Sequence, residues 1–349
     1  MEKLRKIKSP ILETAGYLAI TVILCFFLQK IVVPKYMSHP VEGAMMREYY
    51  ESEATHDIIF IGDCEFYESI TPVILWERYG ITSYVRGSAQ QLIWQSYYVL
   101  KDTLLIEKPK AVVFNVTELK YGETQNEAYT RLCLDGMKSL KYRLAAAGLS
   151  LKEENESLLS FVFPILRYHS RWSELSSDDF EYMFKRNIIT YEGYLMHTEV
   201  RPATGDSPAL RPLFDSSFPD ICWEYLDKIY NLCEEEGIEL VLFKSPVISW
   251  QYPWYDEWDE QINAYAESHD ILYINGIELS GEMGLDMSTD TYDEGIHLNV
   301  YGAEKCTDFL GSILVSAYDY TDNRNDPDQC AVWDKIKNRY YEARDGIEE

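Results

Sequence analysis

The sequence predicts an α/β fold, a parallel β-sheet with helices on both faces. Two observations predict it: short β-branched runs alternate with helix-like segments, and several of those segments carry their own start and stop signals. With 349 residues, 46% apolar and 26% charged, the chain is long enough for a sizeable core and has the soft expectation of two domains.

The elements follow in order. Residues 1–33 carry five cations, four of them (Lys3, Arg5, Lys6, Lys8) ahead of the apolar run Ala15–Val33, in which only Gln29 and Lys30 are strongly polar. About 19 such residues approach the ~20 needed to cross hydrocarbon, and basic residues before the run place the N-terminus in the cytoplasm and the body outside it. No small-residue cleavage pattern follows, so the expectation is a retained single-pass anchor in the cell membrane, with residues 1–34 as basic tip and span and 35–56 as a polar linker.

The expected strands are 57–62, 82–86, 111–115, 238–243 and 271–275. Between the first two, Thr71 as cap, Pro72 at the first helical position and Gly80 as stop delimit a helix over 72–79. Apolar spacing of three to four predicts helices over 92–107 and 221–236, and Asn299 caps another over 300–316. About 120 residues separate the third strand from the fourth, too many for a loop. Residues 118–220 are therefore an insertion in the domain 57–318, with helical stretches at 132–147 and 158–172, expected to pack close to the strand ends. The tail 319–349 offers Val332, Ile336 and Tyr340 for a closing helix.

Charge and cysteine usage narrow the partners. A net charge of −26 repels phosphate backbones, so no nucleic acid is expected. The seven cysteines show no metal-ligand spacing, and no metal or organic cofactor is implied. An extracytoplasmic setting permits disulfides without requiring them. Two glycosylation sequons occur, at Asn115 and Asn155; the first ends an apolar run and is a poor surface site.

Candidate chemistry sits at the strand ends. The first strand ends in Gly62-Asp63-Cys64, where an open α/β sheet presents a nucleophile before a helix. Downstream, Asp293-Glu294-Gly295-Ile296-His297 supplies a base and two acids, one of which can hold the base's tautomer. Asp293, four residues before His297, reaches its Nδ1 only if residues 294–296 turn, which Gly295 suits. Gly87 and Asn115, after the second and third strands, are placed to stabilise an oxyanion.

A Gly-Asp-Cys turn, a Gly, an Asn and an Asp…His-Leu-Asn block in this order resemble the four-block signature of the SGNH (GDSL-type) hydrolase superfamily. Residues 61–72, 79–91 and 290–305 look like a membrane-anchored bacterial group within it, here with Cys in the nucleophile position. The resemblance implies a flavodoxin-like three-layer sandwich with a five-stranded sheet in the order 2-1-3-4-5. It gives Cys64 the nucleophile's place, His297 the base's, and Gly87 and Asn115 the oxyanion places. Two departures stand out. Cys replaces the usual Ser, and the acid usually three residues before the His is Glu294 here, with Asp293 at four. A thiol beside a His is intrinsically more nucleophilic than a hydroxyl, but Asp63, Glu65 and Glu68 crowd it with negative charge.

His169 and Arg171, in the insertion, are candidates for lining the site. Trp254 belongs to an aromatic-rich stretch with Trp250, Tyr252, Tyr255 and Trp258, fit either for stacking on a sugar or for the core. The expected function is an extracytoplasmic acyl esterase or acyltransferase acting on a cell-envelope glycan or polymer. The rival is a catalytically inactive SGNH-like module that binds such a polymer or a partner protein.

Overall fold

The computed structural model describes residues 2–33, 45–125, 127–151, 157–181, 183, 188–203, 216–248 and 254–346, with side chains from residue 10 onward. Asn155, Trp250, Tyr252 and residues 35–44 of the linker lie outside them. The chain forms two compact units, Met1–Val41 with Glu153–Asn187 and Glu42–Lys152 with Ile188–Glu349.

The second unit holds a five-stranded sheet, β1 (Ile58–Gly62), β2 (Ser83–Gly87), β3 (Ala111–Asn115), β4 (Glu239–Lys244) and β5 (Leu272–Asn275). Every pairing is parallel and the order is β2-β1-β3-β4-β5, the flavodoxin-like order, so the chain reverses direction of travel across the sheet after β2. The strands are largely apolar and almost wholly buried because both faces are covered. Ile59 and Ile61 face a core shared with helices Ile93–Thr103, Asp220–Glu236 and Tyr255–His269, while Ile58 and Phe60 face one shared with Pro72–Tyr79 and Val300–Ala317. This alternation is the period-two geometry of a strand.

Several boundaries follow local chemistry. Gly80 ends its helix in the left-handed conformation at φ 68°. Asn299 Oδ1 accepts from Tyr301 and Gly302 N–H, capping Val300–Ala317. Thr71 precedes Pro72 as expected, yet its hydroxyl makes no capping bond. The helix expected over 132–147 is two, Glu127–Leu134 and Leu140–Ser150, broken where Gly136 lies against Met46 and restarted by the Ser139 side-chain cap. The closing helix, Pro327–Arg344, docks through Trp333 and Tyr340 rather than Val332, with Trp333 stacked on Trp76 at 5.3 Å.

The expected insertion is divided. Its middle, Glu153–Asn187, belongs with the N-terminal helix Glu2–Val32, and the flanking parts belong to the sheet-bearing unit. Within the N-terminal helix, Pro10–Val32 is long and apolar enough to cross a membrane, and its residues 10–28 are exposed.

Candidate active site

The C-terminal end of β1 is the starting point, since strand ends at a reversal of sheet order form the crevice of such folds. After Gly62, Asp63 caps the helical turn Cys64–Tyr67 by accepting Glu65 N–H at 3.2 Å. Cys64 is thereby presented at the first helical position, partly exposed. Gly87 pairs in register with Gly62, and a Cβ there would lie 2.7 Å from Gly62 O and 2.9 Å from Tyr67 Cδ1, so only glycine permits this approach.

His297 comes from the loop before Val300–Ala317. An antiparallel bridge between Thr291 and Leu298 closes that loop, and Asn299 Nδ2 ties it to the carbonyls of Thr289 and Glu199. Inside it, Glu294 and Gly295 take positive φ, 69° and 97°, turning the chain back on itself. The turn lets both oxygens of Asp293 reach His297: Oδ2 lies 2.6 Å from Nδ1, and Oδ1 accepts His297 N–H at 2.7 Å. Glu294 instead donates its backbone N–H to Arg201 O. Asp293 therefore holds the imidazole with Nδ1 as donor, which leaves Nε2 as the acceptor toward a nucleophile.

Cys64 and His297 are close enough to govern each other's protonation. Nε2 has no formed hydrogen bond among the described residues, so thiol and ring stand in the loose arrangement common in unliganded sites. Burial pushes the thiol up to about 11, aided by Asp63 and Glu68 and opposed by His297. For His297, burial favours the neutral ring, but the charges of Glu68 and of an ionised Cys64, with the hydrogen bond to Asp293, outweigh it and hold its pKa well above the ordinary value.

Glu68 is a member of this site that the motif reading did not assign. It is 4% exposed, accepts the Tyr292 hydroxyl on Oε2 at 2.7 Å, and stands 3.5 Å from His297 Nδ1. His197 stacks on Tyr292 with ring centres 3.8 Å apart and lies 3.7 Å from the other Glu68 oxygen. The available signals were faint: Glu68 is one helical turn beyond Cys64, and Tyr292 adjoins Asp293.

Glu65 departs from the expectation that it would press negative charge on the thiol. Its Oε2 is 2.6 Å from Lys244 Nζ and accepts the Thr117 hydroxyl at 2.6 Å, with Lys120 3.8 Å from Oε1. Burial opposes its charge, but the two lysines prevail and lower its pKa to about 2. The negative charge on the thiol side comes from Glu68 and, in part, from Asp63, whose carboxyl burial and the Glu65 charge push up to about 7.

Asn115 is fully buried at the end of β3. It donates Nδ2–H to Asp63 Oδ1 at 3.0 Å and accepts Thr117 N–H. One amide hydrogen is thus committed, and the second has no partner among the described residues. Its burial also removes the first sequon from the surface.

The remaining candidates are described by their own surroundings. Trp254 packs against the core on the face covered by Tyr255–His269, where Trp258 is buried. His169 and Arg171 belong to the first unit. There His169 is exposed, and Arg171 donates to Val32 O at 2.7 Å and to Asp179 at 3.2 Å. All seven cysteines are free.

No protein-family model and no curated protein matches the chain. Among solved structures, it is similar to a GDSL-like lipase from Bacteroides thetaiotaomicron, at 11% identity and TM-score 0.38 over 79% of this chain and 100% of that one. A protein provisionally named an acylhydrolase, from Bacteroides fragilis, matches at 11% identity and TM-score 0.37, over 78% and 94% of the two chains. A third, provisionally named a lipolytic protein of the G-D-S-L family, from Desulfitobacterium hafniense, gives 10% identity and TM-score 0.38 over 74% and 100%.

Proposed function

We propose that this protein is a membrane-anchored SGNH-type acyl esterase or acyltransferase whose body lies outside the cytoplasm and acts on a cell-envelope glycan or polymer. The observation that carries the reading is the two-point hold of Asp293 on His297 beside a cysteine at the end of β1. In the proposed reaction, His297 Nε2 removes the Cys64 proton as sulfur attacks an ester carbonyl, forming a C–S bond and an oxyanion. The second Asn115 amide hydrogen and the Gly87 backbone N–H stabilise that oxygen. Collapse breaks the ester C–O bond, and His297 returns its proton to the departing alcohol. Water or an acceptor hydroxyl then attacks the thioester and gives its proton to His297, collapse breaks the C–S bond, and His297 returns the proton to the sulfur.

The high thiol pKa opposes the first proton transfer, and the carboxylates around His297, by favouring its protonated form, reduce the share of neutral ring that can accept the proton. This observation favours a second reading, an inactive module that keeps the fold and binds an envelope polymer or partner protein. Incubating the full chain with an activated acyl ester and following Cys64 by intact-protein mass spectrometry separates the two. An acyl adduct lost in Cys64→Ala, and formed far more slowly in His297→Gln, supports the enzyme. No adduct at any pH up to 10 supports the binding module. An adduct discharged by water alone marks an esterase, and one discharged only by a glycan acceptor marks a transferase.

A further inference from the structure

The first unit carries a group of exposed apolar side chains that the proposed chemistry does not use. Leu158, Leu159, Phe163, Leu166, Trp172 and Phe180 are each between 41 and 59% exposed, all within 23 residues of sequence. The segment nonetheless has a small core of its own, since Phe161 and Tyr168 are buried. In the larger second unit, exposed apolar side chains such as Leu105, Leu149 and Val315 are dispersed along the chain. A concentration of this kind in water is a liability, and it marks a surface that something covers.

What covers it is indicated by the segment's attachment. Val32, the last residue of the N-terminal helix, is fully buried, whereas residues 10–28 are exposed. Arg171 donates to Val32 O and is held in turn by Asp179, itself buried. A helix end leaves carbonyls without partners inside the helix, and Arg171 satisfies one of them, which fixes the short helices Leu159–Val162, Ile165–Tyr168 and Ser177–Glu181 to the exit of the apolar helix. Leucine, phenylalanine and tryptophan at that depth match a membrane–water boundary, where apolar side chains enter the acyl region and Trp sits among headgroups. Glu174, Asp178 and Glu181 on the same segment disfavour an anionic surface.

We infer that residues 158–180 form an interfacial foot that seats in the leaflet where the N-terminal helix emerges, binding zwitterionic lipid through Leu159, Phe163, Leu166, Trp172 and Phe180. The inference rests on the reading of Pro10–Val32 as a membrane span.

The test uses the full chain reconstituted into phosphatidylcholine vesicles, with Cys25, Cys64 and Cys330 replaced by Ala. An environment-sensitive fluorophore is attached in turn at Leu159→Cys, Leu166→Cys and Phe180→Cys, with Leu18→Cys inside the span and Glu267→Cys on an exposed polar helix as references. Lipids spin-labelled near the headgroup should quench the three foot probes at least about threefold more than the Glu267 probe, with no gain on adding phosphatidylglycerol. Foot probes that behave like the Glu267 probe while Leu18 is quenched overturn the foot and leave the span intact. A Leu18 probe untouched by any lipid quencher overturns the span, and the foot with it. Foot probes that ignore lipid quenchers but self-quench as protein density rises assign the surface to a second copy of the chain, which also overturns the proposal.

Discussion

Glu68 Oε2 accepts the Tyr292 hydroxyl at 2.7 Å and stands 3.5 Å from His297 Nδ1. The imidazole therefore faces two carboxylates, Asp293 in direct contact and Glu68 just behind it. Asp293 sets the tautomer, whereas Glu68 acts chiefly through its charge, which is the largest influence raising the pKa of His297. Because the mechanism needs the neutral ring, the rate should rise with pH on a limb displaced upward from the ordinary histidine range. Glu68→Gln keeps the side chain's shape and removes the charge, so the limb and the His297 titration seen by NMR should both move to lower pH. An unchanged His297 titration would show that Glu68 is only structural.

The turn at Glu294 and Gly295 decides which acid serves His297. Asp293→Asn leaves the backbone contact possible but misassigns the tautomer, and it should lower acylation of Cys64 by about 10⁴-fold. Glu294→Gln changes a side chain whose residue meets the loop through its backbone N–H, and activity should stay within a few-fold, on the order of a surface substitution. Acylation rates of both variants, measured by quenched-flow mass spectrometry, check the ranking. Near-equal losses would assign part of the role to Glu294.

Much of the fold was legible in the sequence because its signals are local. Gly80 and Asn299 act within a few residues of themselves, and continuous apolar runs such as Ala111–Phe114 state that both sheet faces are covered. The closeness of Cys64 and His297 was legible because the motif order brings both to the same strand ends. Glu68 and Tyr292 were not, since they meet across 224 residues and neither has a distinctive neighbour pattern. The same holds for Lys244, which neutralises Glu65 across 179 residues. Charge crowding around Cys64, counted along the chain, therefore overstated the negative charge that the folded site keeps. The break near Gly136 depends on a tertiary contact with Met46, which helical periodicity cannot register.

The Glu65–Lys244 pair should behave as a buried ion pair beneath the site. Both residues are under 9% exposed, so Lys244→Met leaves the buried carboxylate facing the more distant Lys120 and should cost about 3 kcal/mol of stability. Replacing both, as Glu65→Leu with Lys244→Met, should cost clearly less than Lys244→Met alone, because the Lys120 cation that remains still has Asp63 to balance it. Urea denaturation of the two variants and the parent gives the comparison. A double variant as unstable as the lysine variant would mean that packing, not charge, dominates there.

His56 gives the stability a pH signature distinct from that of the active site. Its Nδ1 lies 2.7 Å from Glu107 and its Nε2 3.2 Å from Glu192, and the ring is buried at the start of β1. Burial alone would lower its pKa, but the hydrogen bonds and charges of the two glutamates raise it to about 9. A raised histidine pKa means that the folded state holds a proton the unfolded chain releases. The stabilisation is therefore complete below the ordinary histidine value of 6.5 and disappears as pH climbs through about 9. Glu107, whose pKa is lowered despite the opposing effect of burial, contributes above the ordinary glutamate value of 4.5 and loses that contribution under acid. Together they place the window of fullest support between about 4.5 and 6.5. Denaturation midpoints taken from pH 6 to 9.5 should fall for the parent and fall less steeply in His56→Gln, where His297 still contributes, with the variant less stable at pH 6 and nearly equal to the parent at the alkaline end. A parent whose stability does not decline over that range would mean that His56 is neutral between its two acids.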